Sequence, residues 1–309
     1  MRVAVISDIH GNGPALEAVL ADIDRRGVDA IYCLGDVCLQ GPHPAECVDR
    51  LRERGIPTVR GNTDRYLARG GRVPNLSPAQ SEALLDAWRE ALGKERLEWL
   101  GQLPERIEAR WEGLPVLLVH GSPRSDEEPL LPFPTAGGTG GAGAAAAAPQ
   151  GGRGGAGGEG PGADGPEDPL AGVTAALVLF GHHHLQLAWR QEGRWMVGPG
   201  SVGMPFDEDP RAAYALIEVH GEVPGAGARQ EMAQAGPEAG AGPDAGARWG
   251  AGTPNGVPGF PGSRLEVTLV RVPYDLEATL AAHREGGWMA HNPLYPHQLR
   301  QARLRPPGA

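Results

Sequence analysis

The sequence predicts an α/β protein: two mixed sheets packed face to face and flanked by helices. Two observations predict it. The first half alternates short apolar runs with amphipathic helical stripes, the signature of a βαβ unit. The second half places several strand-like runs in short succession, enough for most of another sheet.

The elements follow in order. Val3-Ala4-Val5-Ile6 is the first buried run. After Asn12-Gly13-Pro14, the residues Leu16, Val19, Leu20 and Ile23 recur at helical spacing, with Pro14 in the first turn and Gly27 as the stop. The second strand covers residues 29–34, and the crossover joining the two should be right-handed. A helix is expected over 44–54, with Val48 and Leu51 inward and Gly55 as its end, then a third strand over 57–59. Ser77-Pro78 reads as an N-cap and first helical residue. Leu84, Leu85, Trp88 and Leu92 form the buried stripe of that helix, Gly93 interrupts it, and Leu97 and Leu100 continue it to Gly101. Residues 106–119 read as a hairpin turning at Glu112-Gly113. Further strands are expected at 176–180, 186–190, 195–197, 213–219 and 264–272, and tail helices at 275–283 and near 298–303.

Composition bounds the rest. The chain has 309 residues, with 48 Gly and 30 Pro, and the excess is concentrated in residues 136–166 and 221–262. Neither tract has apolar periodicity, so neither buries enough surface to offset its ordering entropy. They are expected to be disordered or loosely ordered low-complexity insertions in a single domain spanning 1–309, which ends in a helical segment at about 275–303. No apolar signal core precedes the first strand and no run is long enough to span a bilayer, so a cytoplasmic protein without a membrane partner is expected. Cys33, Cys38 and Cys47 are odd in number and lack Cys-x-x-Cys spacing, a poor framework for disulfides or a zinc cluster. The formal net charge of −10 argues against long nucleic acid as a substrate, although Arg60 and Arg65 lie beside the candidate site and could clamp a phosphate.

The candidate site is a ladder. Asp8-Ile9-His10, Gly35-Asp36, Gly61-Asn62, His120-Gly121 and Gly181-His182-His183-His184 each follow an apolar run. Open α/β sheets bind ligands at the carboxyl ends of their strands. Taken singly, Asp8 or Asp36 reads as a cap, His120 as a satisfied histidine and Asn62 as a turn residue. Taken jointly, they bring carboxylate, imidazole and amide groups to one sheet edge. That suits a pair of divalent cations, and such a pair suits phosphoester cleavage. Asp8 and His10 are two apart, as are His182 and His184, so each pair can share a side while His183 points away. Mixed nitrogen and oxygen donors favour Mn²⁺, Fe or Zn²⁺ over Mg²⁺ or Ca²⁺, with Mn²⁺ the first choice.

This ladder resembles the calcineurin-like metallophosphoesterase superfamily over residues 1 to about 220. Gly41-Pro42-x-Pro44 and Gly198-Pro199-Gly200-Ser201-Val202-Gly203 are similar to its small bacterial phosphodiesterase branch. The resemblance implies a four-layer α/β/β/α sandwich of two mixed sheets flanked by helices. It implies one metal on Asp8, His10, Asp36 and His184, a second on Asp36, Asn62, His120 and His182, and Asp36 bridging both. The implied reaction is in-line attack by a hydroxide held between the metals on a small phosphodiester or nucleotide. A phosphomonoesterase is the alternative. A non-catalytic scaffold should have lost ligands, and a DNA nuclease should carry basic surface. One departure matters: many members read Gly-Asn-His-Asp or Gly-Asn-His-Glu, with that histidine aiding the leaving group, whereas here the block is Gly61-Asn62-Thr63-Asp64. Thr63 cannot act as a general acid near neutral pH. His43, in the Gly-Pro-His-Pro loop, is the candidate for that role beside Asp36 and Asn62, and Asp64 is expected to support the site from outside.

Overall fold

The computed structural model describes residues 1–132, 168–221 and 263–304, and the backbone of 248–250. The first half supplies β1 (Arg2–Ile6), α1 (Gly13–Arg26), β2 (Ala30–Cys33), α2 (Pro44–Glu53), α3 (Asn62–Arg69) and α4 (Pro78–Gln102). Then come β3 (Arg106–Trp111), β4 (Leu114–Val119), β5 (Leu177–Leu179), β6 (Gln186–Gln191), β7 (Arg194–Pro199), β8 (Ala212–His220), β9 (Arg248–Gly250) and β10 (Arg264–Val272). The tail forms α5 (Leu276–Glu285), a 3-10 turn at Trp288–Ala290 and α6 (Tyr295–Gln301).

The strands form two five-stranded mixed sheets, ordered β2-β1-β8-β10-β9 and β3-β4-β5-β7-β6. β1 pairs in parallel with β2 and antiparallel with β8, while β5 pairs in parallel with both β4 and β7. Strand alternation explains the layering. Ala4 and Ile6 of β1 pack with Leu16, Val19, Leu20 and Ile23 of α1. Val3 and Val5 pack inward with Leu118, Leu177, Leu179 and Val197 of the second sheet. β1 is therefore apolar on both faces, which is why its sequence reads as an unbroken run. The outer face of the second sheet, carrying Leu117, Val178, Phe180 and Met196, is covered by Leu130 and Leu170.

Local signals act as expected. Asn12 caps α1, Ser77 caps α4 and Asp275 caps α5, each accepting a backbone N–H. Gly93 has φ 70° and ψ 168°, which breaks α4 into two segments. Glu112 and Gly113 both have positive φ, 48° and 83°, as a tight two-residue hairpin turn requires.

Three local features differ from expectation. Residues 57–59 make only an isolated bridge, Thr58 to Cys33, with Val59 N donating to Cys33 O at 2.9 Å. The run is too short for a ladder, and Pro57 has no N–H to donate. Residues 62–69 form an unexpected helix, α3, because Asp64 accepts the Gly61 amide at 3.0 Å and so caps its start. β9 falls inside the second expected insertion and pairs antiparallel with β10. Beyond Gly221, the rest of that tract and the whole of the first lie outside the described residues. Among the described residues, no helix is long and apolar enough to cross a membrane.

Candidate metal centre

β1, β2, β4 and β5 end at one edge, and the loops that follow are stitched together through their backbones. Asp8 N donates to Gly35 O at 3.0 Å, His10 N to Asp36 O at 2.9 Å, and Gly181 N to His120 O at 2.7 Å. Val202 N and Gly203 N donate to Ser7 O and Asp8 O at 2.9 and 3.0 Å, so the Gly198 to Gly203 motif braces the end of β1. Asp8, His10, Asp36, His182 and His184 all have positive φ, between 49° and 72°. These residues have left the strands. Their side chains converge through left-handed turns rather than through strand alternation, a backbone conformation that costs L-residues energy and recurs at functional sites.

Asp8, His10, Asp36, Asn62, His120, His182 and His184 of the sequence ladder meet here. Asp36 spans the cluster: Oδ2 lies 3.6 Å from His10 Nε2 and Oδ1 lies 3.4 Å from His120 Nε2. On one side, Asp8 Oδ1 is 3.3 Å from His184 Nε2 and 4.0 Å from His10 Nε2, and the two ring nitrogens are 3.1 Å apart. On the other, Asn62 Oδ1 lies 3.0 Å from both His120 Nε2 and His182 Nδ1. The carboxylate oxygens and ring nitrogens of Asp8, His10 and His184 lie within 4.8 Å of one another, as do those of Asp8, Asp36 and His120.

Carbonyl partners fix the imidazoles. His10 Nδ1 donates to Leu39 O at 3.2 Å, His120 Nδ1 to Leu34 O at 2.7 Å and His184 Nδ1 to Met204 O at 2.5 Å. A carbonyl only accepts, so each neutral ring presents its Nε2 lone pair to the cluster. Those lone pairs then face one another and carboxylate oxygens, a repulsive arrangement unless a cation or proton lies among them. Asp8 Oδ1, fully buried, has no hydrogen-bond partner among the described residues. Burial and the neighbouring His184 lower the His10 pKa to about 4. Burial works against a charge on His120, but the Asp36 carboxylate outweighs it and raises the pKa to about 10. Asp8 is likewise held at about 2, burial opposing and His184 lowering it. The donor set thus suits divalent cations: charged oxygens, lone pairs locked inward, and an orphaned carboxylate oxygen.

Residues 1–140 match the family model described as the calcineurin-like phosphoesterase superfamily domain. A solved metallophosphoesterase from Sphaerobacter thermophilus is similar over 98% of this chain and 99% of its own, with a TM-score of 0.59 and 25% identity. Residues 1–140 are thus assigned to the calcineurin-like phosphoesterase superfamily. Two enzymes are similar over part of the chain's length. The symmetrical bis(5'-nucleosyl)-tetraphosphatase of Paracidovorax citrulli is 33% identical over 126 residues, 39% of this chain and 44% of the enzyme. Phosphodiesterase YfcE of Escherichia coli (strain K12) is 38% identical over 74 residues, 21% of this chain and 40% of the enzyme. The matched stretch spans less than half the length of either enzyme.

The surroundings of this candidate centre distinguish residues inside it from residues beside it. Asp64 is fully buried and its oxygens accept the amides of Asp36, Val37 and Gly61, so it positions the loop carrying Asp36. Thr63 N donates to Asp36 Oδ1 at 2.9 Å, while its hydroxyl donates to Cys38 O at 3.0 Å. His183 turns away as expected: Nε2 donates to Leu130 O at 3.1 Å and the ring packs edge-on to Phe180. His43 begins α2 and lines a cleft of about 360 Å³ with Gly13, Leu16, Glu17, Cys47 and Arg50, none of them in the ladder. Arg60 and Arg65 do not face the cluster as open clamps: Arg60 donates to Glu105, and Arg65 to Asp126 and Glu127. Sequence reasoning missed Leu34, Leu39 and Met204, whose carbonyls set the histidine tautomers. It also missed Phe206, which stacks on His184 at 4.3 Å. A backbone carbonyl carries no residue-type signal, and a lone Phe in a loop carries little.

Proposed function

We propose that the protein is a phosphodiesterase acting on small phosphodiesters or nucleotides. Asp8, His10, Asp36 and His184 would hold one divalent cation, and Asp36, Asn62, His120 and His182 a second. The observation that carries this reading is the Asp36 carboxylate, whose two oxygens face imidazoles on opposite sides, His10 and His120. A carboxylate can serve two cations at once; an amide or an imidazole cannot readily do so. When bound, such a pair lowers the pKa of a water and neutralises phosphate oxygens. The protein's part is orientation. The Leu34, Leu39 and Met204 carbonyls fix three imidazoles, and Asp64 and the Thr63 amide fix Asp36. The mixed nitrogen and oxygen donors suit Mn²⁺, Fe or Zn²⁺ better than Mg²⁺ or Ca²⁺, with Mn²⁺ the first choice. Similarity to a phosphodiesterase and to a dinucleoside tetraphosphatase supports small diesters and nucleotides. The three cysteines are buried and free, as suits a cytoplasmic protein.

A phosphomonoesterase is the rival reading. Metal-depleted protein, reconstituted with each metal in turn, should hydrolyse bis(4-nitrophenyl) phosphate faster than 4-nitrophenyl phosphate. The reverse order selects the rival. Asp36→Asn should abolish turnover and lower metal content more than any other change in the set. Two metals retained at wild-type affinity would overturn the bridging assignment.

A further inference from the structure

The turn after His120 carries an arrangement that the metal centre does not use. Ser122 N donates to Ser125 O at 2.8 Å, and Ser122 Oγ accepts the amides of Arg124 and Ser125 at 3.1 and 3.2 Å. This tight turn folds Asp126 and Glu127 back against α3, whose first residue is Asn62. There Arg65 Nε and Nη2 donate to the two oxygens of Asp126 at 2.7 and 3.0 Å, and Nη2 also donates to Glu127 Oε1 at 2.6 Å. The guanidinium carbon stands 4.9 Å from the centroid of the Tyr66 ring. Tyr66 OH donates to the same Glu127 oxygen at 2.7 Å, and the Asn62 side chain lies beside that hydroxyl. Arg65 is thus one side chain removed from a proposed ligand of the second cation.

We propose that Arg65 is a phosphate-binding fork occupied by the chain's own carboxylates, and that Asp126 and Glu127 thereby restrict the site to phosphodiesters carrying one negative charge. The inference rests on the phosphodiesterase reading and narrows its substrate class to singly charged diesters, leaving out nucleotides that carry more charge. A bidentate carboxylate satisfies a guanidinium with the same two parallel N–H bonds that a phosphate would. The pair is half-open rather than sealed: the side chains of Arg65, Asp126 and Glu127 are 28%, 20% and 46% exposed. Among the described residues, no neighbouring arginine takes over the task. Arg60 is 4% exposed and paired with Glu105, and Arg124 is paired with Glu128. A diester brings a single charge, which the cations themselves can offset. A monoester brings nearly two near neutral pH, and a dinucleoside tetraphosphate brings more. Those extra charges would meet two carboxylates where a polyanion-binding site would present a cation.

The test compares wild type, Asp126→Asn/Glu127→Gln, and the same double variant with Arg65→Gln added. The amides keep the shape of the acids and drop their charge. The double variant should raise kcat/KM for diadenosine tetraphosphate and 4-nitrophenyl phosphate at least tenfold, while bis(4-nitrophenyl) phosphate stays within threefold. Adding Arg65→Gln should erase the gain. Calorimetry on the metal-depleted proteins gives a readout independent of turnover: the double variant should bind pyrophosphate at least tenfold more tightly than wild type, and the triple variant should not. A parallel loss on every substrate with a lowered Tm would mean that the carboxylates only brace the turn, and unchanged selectivity and binding would equally overturn the proposal. If wild type fails on diesters altogether, the functional reading fails instead, and pyrophosphate binding still judges the fork.

Discussion

The Asp64 carboxylate holds the backbone of Asp36 in place. Its Oδ2 accepts the Asp36 amide at 2.9 Å and the Gly61 amide at 3.0 Å, and its Oδ1 accepts the Val37 amide at 3.0 Å. Burial and the Asp36 charge push the Asp64 carboxyl up to about 7, while the amide donors work against that shift. One residue thus joins the Gly35-Asp36 and Gly61-Asn62 blocks, which are separate in sequence.

Asp64→Asn should weaken metal binding about 10–100-fold, the usual cost of losing a partner that orients a ligand. The amide nitrogen would face backbone N–H donors in a buried site, so stability should also fall by about 1–3 kcal/mol. Metal titration and thermal melts of the metal-free protein check both effects. Wild-type metal affinity in a folded Asp64→Asn protein would deny it a positioning role.

Gly61→Ala should be among the most damaging single-methyl changes. A Cβ there would stand 2.0 Å from Asp36 Oδ1 and 2.4 Å from Asp36 N, so the carboxylate must move. Activity and metal content should both drop more than about tenfold, since misplacing a ligand is as harmful as losing its support. Gly101→Ala is the control. It lies in helical backbone with only Ala68 Cβ nearby, at 3.5 Å, and should leave activity unchanged.

The Thr63 hydroxyl is committed to Cys38 O and supplies no acid. Rates across a series of aryl and alkyl phosphodiesters should therefore depend steeply on leaving-group pKa. A positioned acid is worth roughly 10²–10⁴-fold, so its absence should show most on alkyl diesters. A shallow dependence, with chemistry rate-limiting, would reveal a proton donor. His43→Ala would then show whether His43 is that donor, by steepening the dependence.

Stability should fall on the acid side partly through His283. Its ring is fully buried, stacks on Tyr295 at 4.7 Å, and has no hydrogen-bond partner at either nitrogen among the described residues. Burial lowers its pKa from 6.5 to about 4. Between those values the unfolded chain binds a proton that the folded chain does not, so stability present above about pH 6.5 is lost as pH falls toward 4. Denaturant melts at pH 7 and pH 4.5 should show a smaller loss for His283→Phe than for wild type. Equal losses would mean that His283 is not neutral in the folded protein.

The sequence by itself determined where the strands and most helices lie. Apolar runs such as 3–6 and 177–179 are buried on both faces, and caps such as Asn12 and Ser77 are local, so short windows carry them. It also brought out the ladder of Asp8, His10, Asp36, Asn62, His120, His182 and His184, because each member follows an apolar run. Tertiary structure alone decided how those groups meet. Left-handed turns at Asp8, His10, Asp36, His182 and His184 aim the side chains, and such turns are enforced by hydrogen bonds between loops far apart in the chain. It alone set the tautomers, through the Leu34, Leu39 and Met204 carbonyls, and alone paired Arg65 with Asp126 and Glu127 across more than 60 residues. A residue's type records what its side chain can donate or accept; which partner it meets depends on packing between elements that no local window contains.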